Sequence, residues 1–214
     1  MADSDLTTAA TAADVLGVSA ADPKLPRLIG AASESIRRFI NRPRLHFTAG
    51  FVERLPGYLQ QVRLRLGVLQ VTAIASVVLP DGTSLTADEY VREDDDDGGV
   101  ALYRARGWPW TGLIRPGVLY DAPAVGTEAK TIVVTYSGGW VTPAQAGTRT
   151  LPFDIEEVCL QAVSAMYRRQ GIDPLVASES LGDYSVSMRE APALDGLVPA
   201  SVLAQISSYR RLLP

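Results

Sequence analysis

Apolar residues recur at spacings of three and four in two long segments, a pattern typical of one face of an α-helix. The first segment starts after Asp22-Pro23, a capping residue followed by proline, and stops at Pro43. The second starts after Pro152 and stops at Gly171. The two stripes are Leu25, Leu28, Ile29, Ala32, Ile36, Phe39 and Ile40, and Ile155, Val158, Cys159, Ala162, Val163, Met166 and Tyr167. They predict two long amphipathic helices.

Shorter helices are expected near both ends of the sequence. Ser4 or Asp5 is a candidate N-cap for a helix that runs through Leu16 and ends at Gly17. A last helix is expected from about Val198 almost to the chain end. Its apolar face would consist of Val202, Leu203, Ile206 and Tyr209.

Between the long helices the period changes from helical spacing to two. Val62 and Leu64 alternate with Arg63 and Arg65, which predicts a strand with one solvated face. Further strands are predicted at 71–79, 90–91, 100–103 and 131–136. We therefore expect an α+β fold in which residues 1–44 and 141–214 form a helical core and residues 45–140 a β-rich insertion.

One segment of the C-terminal region does not fit its helical surroundings. It reads SESLGDYSVSMRE at 178–190, and Tyr184, Val186 and Met188 alternate there with serines and an arginine. This is the period of a strand with one buried face. The sequence shows no obvious partner strand for it. The segment raises the question of what the strand pairs with.

Composition narrows the class of protein. The 214 residues are 47% hydrophobic and 21% charged, as in ordinary globular proteins. The net charge of −4 argues against a free-standing nucleic-acid binder, because such proteins have a basic surplus. Cys159 is the only cysteine, so no intramolecular disulfide is possible. The N-terminal segment MADSDLTTAATAAD has no basic residue and predicts no secretory signal, so we expect folding inside the cell.

Candidate chemistry is sparse. His46 is the sole histidine and no nucleophile motif accompanies it, while Cys159 lies on a predicted core stripe. The run EDDDDGG at 93–99 fails as an EF-hand loop, since the twelfth position from Asp94 is Ala105. No glycine motif matches a phosphate-binding loop. We therefore expect no catalytic residue, no metal site and no cofactor.

The order of several motifs resembles a known family. In sequence these are AASESIRRFINRP, VLQVTAIASVVLPDGTSLTADEYV, GGVALYRARGWPW, KTIVVTYSGGW, LPFDIEEVCLQAVSAMYRRQ and SESLGDYSVSMRE. They resemble the head–tail connector (adaptor) proteins of long-tailed double-stranded DNA bacteriophages and gene transfer agents. The resemblance covers residues 12 to 212. It lies in the order and spacing of the motifs.

The resemblance implies a small helical bundle with a β-rich insertion between its second and third long helices, and no enzymatic activity. It implies a homo-oligomeric ring, typically of twelve copies, in the virion neck between capsid and tail, assembled in the host bacterial cytoplasm. The implied partners are the portal protein and a stopper or tail-completion protein. Genomic DNA would pass through the ring without specific binding. No run in the sequence approaches the roughly 20 apolar residues that a membrane helix needs, so we also expect no membrane partner.

Three groups of residues become candidates for roles in such a ring. The resemblance assigns portal docking to the C-terminal tail, namely Tyr209, Arg210, Arg211, Leu212 and Leu213. A strand-like element in a ring can contact the neighbouring subunit, which makes Gly182, Tyr184, Val186 and Met188 candidate interface residues. The acidic run Asp94, Asp95, Asp96 and Asp97 is either a solvated hairpin tip or a ring of negative charge facing the channel.

Two other functions remain open at this point. One is a stopper or tail-completion protein of the same neck. The other belongs to a different class, a hydrolase or glycan-binding module that uses Trp108, Trp110 and carboxylates of the β block. A packed corner at the end of the β block is the structural alternative for the tryptophans.

Overall fold

The computed structural model describes residues 2–56, 61–96, 98–109, 131–169, 178–181, 184–187, 198 and 200–211. The chain has an α+β fold with two compact units. One unit comprises Met1–Arg42 and Val141–Pro214, and the other comprises Pro43–Trp140. Among the described helices, none is long and apolar enough to cross a membrane.

The unit built from the two chain ends is helical. Its helices are α1 (Ala9–Leu16), α2 (Lys24–Ile40), α3 (Phe153–Arg169) and the short α4 (Ala200–Ala204). Both long predicted helices are confirmed. Their apolar stripes form the core of this unit, where Ile29, Ala32, Ile36, Ile155, Val158 and Cys159 are fully buried. The helices therefore form because each has one face that leaves water when they pack.

The first helix begins later than predicted. Thr8, not Ser4 or Asp5, is its N-cap, and the Thr8 hydroxyl accepts a hydrogen bond from the Thr11 N–H at 3.1 Å. Asp5 instead accepts a hydrogen bond from the Ala2 N–H and is buried. Gly17 ends the helix in the left-handed conformation, as predicted.

The last helix is shorter than predicted. α4 ends at Ala204, and a 3₁₀ turn at Ser207–Tyr209 follows it. The backbone then becomes extended at Arg210, because the Arg211 N–H donates to the Ile40 carbonyl at 2.8 Å. That carbonyl belongs to the end of α2, where intrahelical donors are lacking. A tertiary hydrogen bond thus overrides the local helical pattern.

The second unit is built from antiparallel strands in two sheets. Its strands are β1 (Thr48–Leu55), β2 (Arg63–Arg65), β3 (Ala73–Val78), β4 (Ser84–Leu85), β5 (Val91–Asp94), β6 (Val100–Tyr103) and β7 (Ile132–Gly138). The first sheet has the order β1-β7-β3-β4 and the second β2-β6-β5. The predicted strands correspond to β2, β3, β5, β6 and β7, while β1 and the two-residue β4 were not predicted.

The core of the β-rich unit contains a buried polar pair. Tyr136 of β7 is fully buried, and its hydroxyl donates to the Glu53 carboxylate at 2.6 Å. Glu53 also accepts from the Gly67 N–H at 2.9 Å, and the Tyr136 hydroxyl accepts from the Val68 N–H at 3.3 Å. The pair therefore provides hydrogen-bond acceptors for two backbone N–H groups of the segment that follows β2.

Gly139, the residue that follows β7, allows two backbone segments to meet closely. Gly139 has φ +105°, and a Cβ atom there would lie 2.3 Å from the His46 carbonyl oxygen. Its N–H donates to the Leu69 carbonyl at 2.8 Å. Only glycine combines this conformation with this approach. The SGGW motif is thus explained by packing.

Replacing Gly139 with Ala should strongly destabilise the protein. The new methyl group would clash with the His46 backbone, in addition to the cost of a positive φ. Gly82→Ala is the matched control, since Gly82 has φ +87° and open space around it. We expect a loss of about 1 kcal/mol for the control and more than about 3 kcal/mol for Gly139→Ala in denaturant unfolding. Equal losses would show that the close approach is unimportant.

Tyr136→Phe should reduce the free energy of unfolding by about 1–3 kcal/mol, because Glu53 and the Val68 N–H both lose a buried partner. Tyr103→Phe serves as the control, since Tyr103 lies on the partly exposed face of β6 and should change stability by less than about 0.5 kcal/mol. Urea unfolding monitored by circular dichroism measures both changes. Similar midpoints for the two variants would contradict the role of the buried pair.

Candidate assembly surfaces

Cys159 and His46, the two residues considered as candidates for catalysis, lie in environments typical of packing residues. Burial raises the pKa of the Cys159 thiol to about 12, so it is not a nucleophile at neutral pH. His46 is partly buried, and its Nε2 lies 3.3 Å from Nη1 of Arg44. In the described part of the chain no three His, Cys, Asp or Glu side chains cluster as metal ligands would.

Trp108 forms a packed corner and offers no platform for a sugar. Its side chain is 2% exposed, and its indole N–H lies 3.2 Å from the carbonyls of Val62 and Leu102. The packed-corner interpretation is thus confirmed for Trp108. Trp110 lies outside the described residues. A glycan site that depends on the exposed face of Trp108 is therefore excluded.

The acidic run forms a hairpin tip, the first of the two interpretations of its sequence. It joins the paired strands β5 and β6, and its turn is closed by hydrogen bonds between Asp95 and residues Gly98 and Gly99. The side chain of Gln70 lies so close to Gly98 that a Cβ atom there would be 2.3 Å from its amide nitrogen. The tip is therefore held against the residues that precede β3. Asp97 lies outside the described residues.

Arginines of the same sheet offset most of the charge of this loop. Their carboxylate partners lie at 2.6 Å for Arg63–Glu93, 3.9 Å for Arg65–Asp95 and 2.7 Å for Arg92–Asp94. Of the acids described here, Asp96 has no ion pair within 4.0 Å. All of these pairs are partly exposed, so each contributes little to stability. They reduce the negative field that the loop presents to solvent.

The candidate docking tail is anchored on the helical unit. The Tyr209 hydroxyl donates to Asp154 at 2.9 Å, and burial together with this hydrogen bond raises the pKa of Tyr209. The Arg42 side chain donates to the Tyr209 carbonyl at 3.2 Å, and the Asn41 amide donates to the Arg211 carbonyl at 3.3 Å. Tyr209 therefore anchors the tail to α3 and to the residue that follows Asn41.

Arg210 is the exposed side chain of this anchored segment. Its guanidinium lies 5.4 Å from the centre of the Phe39 ring, a cation–π contact at the surface. Leu212 and Leu213 lie outside the described residues. Among residues 209–211, Arg210 is exposed while Tyr209 and Arg211 are partly buried.

The described residues of the strand-like segment at 178–190 pair with each other. They form a two-stranded antiparallel hairpin of β8 (Ser178–Leu181) and β9 (Tyr184–Ser187). The strand at Tyr184 and Val186 is thus confirmed. Gly182 and Met188 lie outside the described residues. The partner strand was missed, although Gly182-Asp183 between two four-residue runs is a recognised signal of a two-residue hairpin loop.

The register of the hairpin separates its residues into two faces. Leu181 pairs with Tyr184 and Glu179 with Val186, so these four positions share one face. The other face has the positions of four serines, Ser178, Ser180, Ser185 and Ser187. The hairpin is therefore two-faced, with all of its serines on one side.

Comparisons with known proteins extend these observations. The sequence matches no family model and no curated protein sequence. Its fold matches a chain in the neck of a native gene transfer agent particle computed with C12 symmetry, with a TM-score of 0.56 and 16% identity over 100% of this chain and 94% of that one. A chain in the virion of a native gene transfer agent particle matches with a TM-score of 0.55, also at 16% identity and over the same shares of both chains.

A third match is a chain in the neck of an empty gene transfer agent particle computed with C6 symmetry. Its TM-score is 0.51 at 16% identity, over 100% of this chain and 95% of that one. At this level of identity the matches establish a shared fold. The chain thus has the fold, over its whole length, of a chain found in gene transfer agent particles.

Proposed function

We propose that this protein is a structural component of the neck of a phage-like particle, located in the virion between capsid and tail. The observation that carries the proposal is the match of the entire chain to nearly the entire length of a neck-particle chain. A fold alone does not determine function. Here, however, the order of sequence motifs points independently to the same class of protein.

Within the neck we propose the role of the adaptor, a homo-oligomeric ring beneath the portal that extends the DNA channel. The C12 and C6 symmetry of the two matched neck structures supports a ring of several copies. A ring needs subunit interfaces and a lumen that does not bind phosphate tightly. The hairpin and the C-terminal tail are surfaces suited to subunit and partner contacts. The acidic composition of the chain suits a lumen that does not bind phosphate tightly.

The ion pairs of the acidic loop change how that loop would act in a channel. Because Asp94 and Asp95 lie beside arginines, the loop would not present four uncompensated charges to DNA. A mixed, weakly negative surface still disfavours retention of DNA, since each uncompensated basic residue adds salt-dependent affinity. We therefore propose a channel lining of low affinity in place of a strong negative ring.

The proposed role is tested by the mass of the protein with and without a purified portal. Size-exclusion chromatography with light scattering should show a ring of defined mass at least when portal is present. A stopper or tail-completion protein would instead require a preassembled adaptor on the portal before it binds. A protein that stays monomeric and binds neither the portal nor a complex of portal and adaptor would exclude the neck role.

Val186→Asp should impair ring assembly more than folding of the monomer. Its position lies on the hairpin face shared with Leu181 and Tyr184, where a charge would oppose burial against a neighbour, and opposite Glu179, so the unfolding of the monomer reports the cost to the hairpin itself. Ser185→Asp is the matched control, because it places the same charge on the serine face. Ring mass and thermal unfolding of the monomer are measured for both. Equal damage to assembly and folding by Val186→Asp would mean that the hairpin is only local packing.

Arg210→Glu should weaken portal binding on the order of tenfold, because it reverses the exposed charge of the anchored tail. The control is Arg168→Glu, an equally charged change at an exposed position in the last turn of α3. Binding to immobilised portal at two salt concentrations is the measurement. Equal weakening by both variants would indicate a general charge effect and would remove the tail from the proposed docking surface.

A further inference from the structure

β1 forms the outer edge of the four-stranded sheet. It is eight residues long and pairs on one side with β7, and no other described strand pairs with its second side. The remaining edge strands are shorter, with two residues in β4, three in β2 and four in β5. Two of the three residues in β2 are arginines and three of the four in β5 are charged, a composition that discourages strand pairing. β1 is therefore the edge best suited to accept another strand.

Val52 and Phe51 show that the edge is incompletely covered. Val52 is 49% exposed on the outer face of β1. On the opposite face, Phe51 makes an edge-to-face contact with Tyr136 at 5.6 Å between ring centres but remains only partly buried. An added strand would cover the ring of Phe51 and continue the core by one strand.

The hairpin of β8 and β9 is the complementary element. Its strands pair with each other and with no other described strand. A lone two-stranded hairpin is marginally stable in water, so it gains from joining a larger sheet. Each hairpin strand has four residues, about 13 Å in length, which fits the continuous five-residue pairing of Phe51–Leu55 on β1.

The faces of the two elements correspond. In β1 the residues Phe51 and Leu55 lie on the core side of the sheet, while Val52 and Arg54 lie on the exposed side. In the hairpin the positions of Leu181, Tyr184, Val186 and the charged Glu179 share one face, and the serines share the other. Joined edge to edge through β9, the Tyr184 and Val186 positions would extend the core side next to β1, with the Leu181 and Glu179 positions of β8 at the outer margin and the serines on the exposed side. A shift by one residue would reverse this match.

We infer that the β8–β9 hairpin of one copy adds as strands to β1 in the next copy, at the edge of β1 that pairs with no other described strand. The inference rests on the proposed ring and specifies its subunit contact. The contact is heterologous, since one surface is the hairpin and the other is β1. Contacts of this kind generate closed rings when the rotation between copies closes. The occupant of the β1 edge is thus a second copy of this chain.

Cysteine cross-linking tests the contact directly. Val52→Cys is combined in one chain with Ser185→Cys, or separately with Ser180→Cys, because Ser180 and Ser185 are opposite each other and either hairpin strand can be the outer one. The assembled protein is treated with a short bis-maleimide and analysed on a denaturing gel. The single native cysteine, Cys159, is fully buried and contributes little background.

Two controls separate the contact from random collision. Val91→Cys replaces Val52→Cys in the same combinations, because Val91 is similarly exposed, at 59%, on the edge strand β5. In addition, chains with Val52→Cys alone and chains with Ser185→Cys alone are cross-linked separately and as a mixture. Since each chain then has one reactive site, the mixture should give dimers and either chain alone should not.

We expect a ladder of cross-linked multimers for at least one Val52 combination, at least tenfold more intense than for the matching Val91 combination. A variant that assembles to the normal ring mass but gives no ladder above the Val91 control would overturn the strand-addition contact and leave the neck role intact. Absence of any oligomer, with or without portal, would overturn the proposed ring and the contact together.

Discussion

The close meeting of backbones after β7 is the constraint on which the β-rich unit depends. Gly139 donates to the Leu69 carbonyl and lies against the His46 carbonyl, while the Trp140 N–H donates to Leu45. These contacts join the start of the unit, its middle and its end. Because β7 is hydrogen-bonded to both β1 and β3, the point where it stops also determines where its neighbours begin. A side chain at Gly139 would separate all three segments.

The buried pair of Glu53 and Tyr136 extends this arrangement into the sheet. It links β1 to β7 through side chains and satisfies the backbone N–H groups of Gly67 and Val68. A carboxylate in the core is costly unless hydrogen bonds compensate it, so the pair selects one register between β1 and the segment after β2. The edge of β1 is thereby held in a defined position. A defined edge is what an assembly contact by strand addition requires.

Two surface segments are tied by side-chain and backbone contacts to the unit that contains them. The acidic loop is compensated by arginines of its own sheet, and the C-terminal tail is fastened to the end of α2 before it presents Arg210. Within the described part of the chain, β1 and the hairpin each have an edge that pairs with no other strand.

The sequence by itself determined the α+β fold, because Leu25 to Ile40 and Ile155 to Met166 follow a helical period that needs only local information. It also indicated β7, whose β-branched residues form a central strand. β1 was missed, since Ala49-Gly50 and the inward-facing Glu53 interrupt the alternation of apolar residues. Only tertiary structure decided the end of α4, where Ile40 accepts a hydrogen bond from Arg211, and the charge balance of the acidic loop, where β2 lies beside β6. These features join residues far apart in the chain, and the physical reason is that a local pattern specifies which face is apolar but not what covers it.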